Sequence, residues 1–167
     1  MYKVIIFDLD QTLIDSSAIE ALRANRRWPK VMQSLNLINQ LEDLKKLVIK
    51  LHNASIKIGI VTNSPSTYAK GVLQHFGIPY DALVAFHDVS LRKPNPEAFN
   101  LIMKKLNVSS QDCLNVGDHD NDILAGQRAN ITSIGVKWHS NNYTFSTKPE
   151  NIFLEPKELA NFLNVKI

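Results

Sequence analysis

The sequence predicts an α/β fold in three layers: a doubly wound parallel sheet with helices on both faces. Three observations predict it. Short, nearly unbroken apolar runs recur along the chain, the form taken by strands buried on both faces. Between them the apolar spacing changes to the i, i+3, i+4 period of amphipathic helices. Acids, hydroxyls and amides gather where the apolar runs stop, which is where open α/β sheets bind ligands. Strands alternating with helices imply parallel pairing through right-handed crossovers.

Taken in order, Val4-Ile5-Ile6-Phe7 marks a strand over residues 3–7 that stops at Asp8 and Asp10, with Thr12 two residues further on. Residues 15–39 break the alternation. Ser17 with Glu20 three residues later reads as a capping box and predicts a helix over 18–26. Pro29 interrupts it, and a second short helix is expected to carry Val31, Met32, Leu35 and Ile38. This stretch is expected to rise over the carboxyl-end face as a short, cap-like insertion. Leu41, Leu44, Val48 and Leu51 then form a helical stripe, and Lys57–Val61 is the second strand. Ala69, Val72, Leu73 and Phe76 make the next stripe, closed by Gly77 in the manner of a helix C-cap. A strand over 82–86 follows, then the stripe Phe99, Ile102, Met103 and Leu106. Strands over 113–116 and Thr132–Val136, a short extra strand over 152–154, and a last helix opened by Pro156 complete the chain.

The 167 residues suit one domain with a substantial core, so residues 1–167 are read as a single domain. Apolar content of 44% and charged content of 21% are ordinary for a soluble globular protein. A net charge of +3 is too mild to argue for a nucleic-acid or membrane partner. The lone Cys113 cannot form an internal disulfide, which favours a reducing compartment. No apolar run approaches the roughly 20 residues of a membrane span, and the first strand starts too early to leave room for a signal peptide. The expected location is cytoplasmic.

Four segments distant in sequence fall just after expected strands: Asp8, Asp10 and Thr12; Thr62, Asn63 and Ser64; Lys93; and Gly117, Asp118 and Asp122. In a doubly wound sheet their loops converge on one edge. Carboxylates there are costly to desolvate unless a cation or a reaction uses them. Mg²⁺ takes oxygen ligands from one or two carboxylates, waters and substrate phosphate. A carboxylate can attack phosphorus, a second acid can protonate the leaving group, and a lysine with hydroxyl and amide donors can hold the remaining oxygens.

These segments closely resemble the haloacid dehalogenase-like hydrolase superfamily in its phosphatase branch. The resemblance rests on Asp8-Leu9-Asp10-Gln11-Thr12-Leu13, Ile60-Val61-Thr62-Asn63-Ser64, Lys93-Pro94-Asn95-Pro96-Glu97-Ala98-Phe99 and Val116-Gly117-Asp118-His119-Asp120-Asn121-Asp122-Ile123, and it covers almost the whole chain. It implies a Rossmann-like fold and an Mg²⁺-dependent phosphatase that cleaves a phosphate monoester through an aspartyl-phosphate on Asp8. Asp8 would be nucleophile and metal ligand. Asp10 would be the general acid/base and touch the metal through its backbone carbonyl. Thr62, Asn63 and Lys93 would bind the phosphoryl group. Asp118 would complete the metal ligands, with Asp122 and Thr12 in support. The second aspartate favours phosphate esters over halides, whose departure needs no proton.

Residues 15–39 depart from the pattern, since many relatives insert a four-helix cap there. A minimal cap implies a more open site, and with it an alternative: a phosphatase for a macromolecule such as a phosphoprotein or a nucleic-acid end. A second alternative is a non-catalytic regulatory domain that accepts phosphate. The expected partner is a phosphorylated substrate, with no membrane, and self-association is left open. Gln11 and Asn130 replace commoner small residues. Asp15 reads as a helix N-terminal acid, His119 as a loop histidine, and Asp120 as a solvated turn acid. Arg23, Arg26, Arg27 and Lys30 with Trp28 read as a solvated basic face, and the sharper reading is attraction of an anionic substrate. Cys113 reads as inert core, while Trp138 and His139 line either the site rim or an interface.

Overall fold

The computed structural model describes residues 2–139 and 143–167. Strands β1 (Val4–Phe7), β2 (Lys57–Val61), β3 (Ala82–Val84), β4 (Cys113–Gly117), β5 (Thr132–Val136) and β6 (Ile152–Phe153) form one sheet in the order β3-β2-β1-β4-β5-β6. Every pairing is parallel. The order reverses at β1, which runs between β2 and β4. A switch of this kind opens a crevice at the strands' carboxyl ends.

Alternation along β1 divides the core. Ile5 and Phe7 join one apolar cluster, while Val4 and Ile6 join a second. This is the period-2 outcome of a strand buried on both faces. Helices α3 (Glu42–Asn53) and α4 (Ser66–Phe76) bury Leu44, Leu47, Val48, Leu51, Ala69, Val72 and Leu73 in the first cluster. Helix α5 (Glu97–Leu106) fills the second with Phe99, Ile102 and Leu106, and α6 (Asp120–Arg128) adds Ala125. Helix α7 (Pro156–Phe162) opens on its proline and returns Leu159 to the first cluster. Gly77 ends α4 at φ +63°, the left-handed conformation its lack of a side chain permits.

Between β1 and α3 lie two short helices, α1 (Glu20–Ala24) and α2 (Trp28–Gln33), flanked by 3-10 turns at Ser17–Ile19 and Leu35–Leu37. An antiparallel bridge between Asp15 and Asn39 joins the two ends of this stretch. Ile19, Val31 and Ile38 are buried against the first cluster. Helix α2 docks closely on α4 because residue 71 is glycine: a Cβ there would stand 2.5 Å from Met32 Cε.

Two local expectations are corrected. Ser17 does not cap a helix with Glu20. Its N–H and Oγ both donate to Asp15 Oδ1, at 3.0 and 2.6 Å, so Asp15 is the capping group of this turn. The helix expected over 18–26 is a 3-10 turn followed by one short α-helix that ends at Ala24. Pro29 lies in the first turn of α2, where its missing N–H costs nothing, and so opens that helix instead of interrupting one.

Candidate active site

The carboxyl ends of three adjacent strands and the loop after β3 build the site. Asp8 follows β1 directly, and its N–H continues the ladder to Val116 O at 3.0 Å. Thr62 follows β2 and donates its N–H to Val84 O at 3.0 Å, while its Oγ1 accepts the Ser64 N–H at 3.0 Å. Asp118 follows β4, and Asp122 sits in the first turn of α6. The β4–α6 turn is tight because residue 117 is glycine: a Cβ there would lie 2.3 Å from Asp122 Cβ.

Lys93 arrives from the loop after β3 and penetrates to the centre. Its Nζ donates to Asp8 Oδ1 and Asp122 Oδ1, both at 2.6 Å, and to Val61 O at 2.9 Å. Its side chain is only 3% exposed, so these pairs are shielded from water. Burial works to lower the lysine's pKa, but Asp122 and Asp8 outweigh it and hold the ammonium above its usual range. Burial lifts the Asp8 carboxyl well above the ordinary carboxylate range, against the pull of Lys93 and with Asp122 and Asp118 adding to the rise. Burial, then Asp122, pushes Asp118 up to about 7. Thr12 Oγ1 donates to Asp118 Oδ1 at 3.0 Å and steadies it.

Asp8, Asp118 and Asp122 each offer a carboxylate oxygen within 4.8 Å of the others. Three acids this close, two of them with raised pKa values, repel one another unless further positive charge joins Lys93. All the donors are hard oxygens, the set that suits Mg²⁺. The arrangement therefore fits a divalent cation. Among the described residues, Asp122 joins this cluster through its carboxylate, whereas the carboxylate of Asp10 does not.

Asp10 is held on the side of the site facing α1 and α4. Its Oδ2 accepts from Ser64 Oγ at 2.8 Å and pairs with an Arg23 guanidinium nitrogen at 2.6 Å, and its Oδ1 accepts from Tyr68 OH at 2.7 Å. Burial and the neighbouring Asp10 raise the Tyr68 phenol, which stays a donor. Arg23 also reaches Ser16 Oγ at 2.8 Å and Ser64 Oγ at 3.2 Å. Asn63 lines the same pocket, of about 280 Å³, and its amide lies 3.4 Å from Lys93 O.

The structure thus brings Asp8, Asp10, Thr62, Asn63, Lys93, Asp118 and Asp122 to one pocket, with Thr12 behind Asp118. Sequence reasoning missed Tyr68, which directly precedes the apolar stripe of α4, and read Arg23 only as part of a basic face. Asp120 is corrected: it is buried, not solvated, and points away from the pocket to Tyr143, Ser146 and Thr147. Against the burial that would raise it, hydrogen bonds from Ser146 and Thr147 hold its carboxyl below the usual range. His119 stacks on Tyr143 with ring centroids 4.2 Å apart. Trp138 is buried, and its indole N–H donates to Thr12 O at 2.8 Å, bracing the loop that carries Asp10.

The chain is similar to known proteins in sequence and in fold. The phosphoglycolate phosphatase of Colwellia psychrerythraea is 32% identical over 102 residues, which is 60% of this chain and 45% of that protein. The pyrophosphatase PpaX of Oceanobacillus iheyensis is 27% identical over 150 residues, 87% of this chain and 70% of its own length. The chain thus spans under half of the first relative. Among solved structures, a predicted phosphoglycolate phosphatase from Haemophilus somnus superposes with a TM-score of 0.84 at 21% identity, covering 97% of this chain and 98% of its own. CbbY from Rhodobacter sphaeroides, solved with xylulose-(1,5)bisphosphate, has a TM-score of 0.80 at 16% identity and covers 95% and 96%. At these identities the structural likeness is one of fold. The model of the family described as haloacid dehalogenase-like hydrolase matches residues 18–136, a segment that holds Thr62, Asn63, Lys93, Asp118 and Asp122 and begins after Asp8 and Asp10. By that match the chain belongs to the haloacid dehalogenase-like hydrolase family.

Proposed function

We propose that this chain is an Mg²⁺-dependent phosphatase that hydrolyses a phosphate monoester through an aspartyl-phosphate on Asp8. The observation that carries the reading is the buried cluster of Asp8, Asp118 and Asp122 around Lys93, with Asp10 held separately beside it. The phosphoglycolate phosphatase among the relatives and the sugar bisphosphate bound by CbbY support the same class of substrate, and the pyrophosphatase PpaX supports hydrolysis at phosphorus more broadly.

Asp8, Asp118 and the Asp10 backbone carbonyl would hold the cation, and Asp122 stands close enough to add its carboxylate. When bound, the cation neutralises phosphoryl oxygens and lets an anionic nucleophile approach them. Lys93, Thr62 and Asn63 hold the remaining oxygens. Asp8 attacks phosphorus through its carboxylate; the new P–O bond forms as the ester P–O bond breaks. Asp10 gives its proton to the departing oxygen. The Asp10 carboxylate then takes a proton from water, which attacks phosphorus and releases Asp8. Arg23, Ser64 and Tyr68 fix the Asp10 carboxylate for both proton transfers. A phosphate-accepting regulatory domain has no comparable use for an acid held in this way.

Among the described residues no helix is long and apolar enough to cross a membrane. Cys113 is buried, with its thiol pushed up to about 11 by burial, and is an inert part of the core.

The test is phosphate release from p-nitrophenyl phosphate with Mg²⁺, with EDTA and with Asp8→Asn. Activity that needs both the metal and Asp8 is expected. Full activity in EDTA or in the variant would overturn the proposal.

A further inference from the structure

We propose that the substrate's leaving group carries a flat ring, so that this chain acts on phosphate monoesters of mononucleotide size. The inference rests on the phosphatase reading and adds a substrate class to it. A second cavity of about 440 Å³ adjoins the acidic pocket and shares Arg23, Asn63 and Ser64 with it. A phosphoryl group held in the acidic pocket therefore has its ester substituent at the mouth of this cavity. The volume lies in the range of about 300–1,000 Å³ that drug-sized ligands fill, and a two-carbon leaving group would leave most of it empty.

The walls suit a ring. Trp28 comes from α2 and Phe86 from the segment after β3, and both line the cavity. Each is braced from outside. Trp28 leans on the Tyr68 ring at 5.7 Å, and the Arg92 guanidinium covers Phe86 at 4.1 Å. Braced aromatics offer a fixed surface on which a base stacks without regard to its hydrogen-bonding edge. The charge is close to balanced. Arg23 is paired with Asp10, and the two exposed ions at the rim, Glu20 and Arg26, are opposite in sign. A neutral, hydroxylated leaving group finds both a donor and an acceptor there.

The experiment compares kcat/KM of the full chain with Mg²⁺ for adenosine 5′-monophosphate, ribose 5-phosphate and phosphoglycolate, in the wild type and in Trp28→Ala, Trp28→Phe and Phe86→Ala. The mononucleotide is expected to exceed ribose 5-phosphate by about tenfold, the worth of one stacked base. Each alanine variant is expected to reduce that advantage, mainly through KM, and Trp28→Phe to restore much of it. Equal rates for the nucleotide and the bare sugar phosphate, or variants that slow all three esters alike, would overturn the inference and leave the phosphatase reading standing. If the wild type hydrolyses none of them yet releases phosphate from p-nitrophenyl phosphate with Mg²⁺, the inference is overturned and the phosphatase reading stands; if p-nitrophenyl phosphate is untouched as well, the phosphatase reading fails instead. Tryptophan fluorescence of Asp8→Asn then decides the cavity separately. Quenching by the mononucleotide but not by ribose 5-phosphate, lost on adding Phe86→Ala, supports a ring site. No quenching by either overturns it.

Discussion

Replacing Lys93 by Met removes one charge while keeping an unbranched stem of similar reach, and it should expose how much of this site's stability one cation supplies. The ammonium lies 2.6 Å from both Asp8 and Asp122, and its side chain is 3% exposed. Removing one partner of a buried pair costs about 3–5 kcal/mol, because the other is left charged and unsolvated. For a domain of this size, each kcal/mol shifts Tm by roughly 2–4 °C, so a fall of about 6–20 °C is expected in EDTA at neutral pH. A cation bound to the acidic cluster should recover part of it, with about 2.7 kcal/mol returned at a concentration 100 times its Kd. The assay is thermal unfolding of wild type and Lys93→Met, each in EDTA and in Mg²⁺. A variant that melts within a degree or two of wild type in EDTA would refute the claim that Lys93 offsets the charge of the cluster. So would a variant that Mg²⁺ does not stabilise more than it stabilises wild type.

Other outcomes follow from the same geometry. The Asp118 carboxyl, pushed up to about 7 by burial and Asp122, binds a proton in the folded chain that the unfolded chain has already released. Its contribution to stability is complete below the ordinary carboxylate range and is lost as pH rises through about 7. The metal-free protein should therefore lose stability between about pH 4 and pH 7 by denaturant titration, and Mg²⁺ should narrow the difference; a metal-free protein that gains stability over that interval would count against the raised carboxyl. Asp10→Asn should lower kcat by about 10²–10⁴ for an alkyl phosphate, with a smaller loss for p-nitrophenyl phosphate, whose leaving group needs little protonation. Equal losses for both esters would remove Asp10 from leaving-group protonation. Gly117→Ala places a Cβ 2.3 Å from Asp122 Cβ and must displace that carboxylate. Mg²⁺ affinity by titration calorimetry should weaken about 10–100-fold, and unchanged affinity would show that Asp122 does not support the cation.

Much of this was legible in the sequence because it follows from local rules. Val4-Ile5-Ile6-Phe7 is apolar at every position, and a strand buried on both faces leaves that trace. The acids at the strand ends stand out because nothing in a core needs them. The insertion was harder to read. Ser17 and Glu20 have the spacing of a capping box, but Asp15 lies two residues before Ser17 and takes its hydrogen bonds first. The partners of Asp10 left no signal. Arg23 sits 13 residues away, and Tyr68, another 45 residues on, is buried in α4 beside its apolar stripe, where an aromatic ring needs no other explanation. The burial of Asp120 depends on Tyr143, Ser146 and Thr147, a distant segment that has no strand or helix period to reveal it. Contacts fixed by chain reversal, unlike those fixed by periodicity, become visible only in the folded molecule.

The central claim is that Asp8 carries the phosphoryl group, and rapid acid quench followed by peptide mass spectrometry tests it most directly. During turnover with Mg²⁺, the peptide containing Asp8 should gain the mass of one phosphoryl group, fragmentation should place it on Asp8, and Asp8→Asn should abolish it. Substrate turnover at full rate with no phosphoryl group on Asp8 at any quench time, or with the group on another residue, would contradict the account.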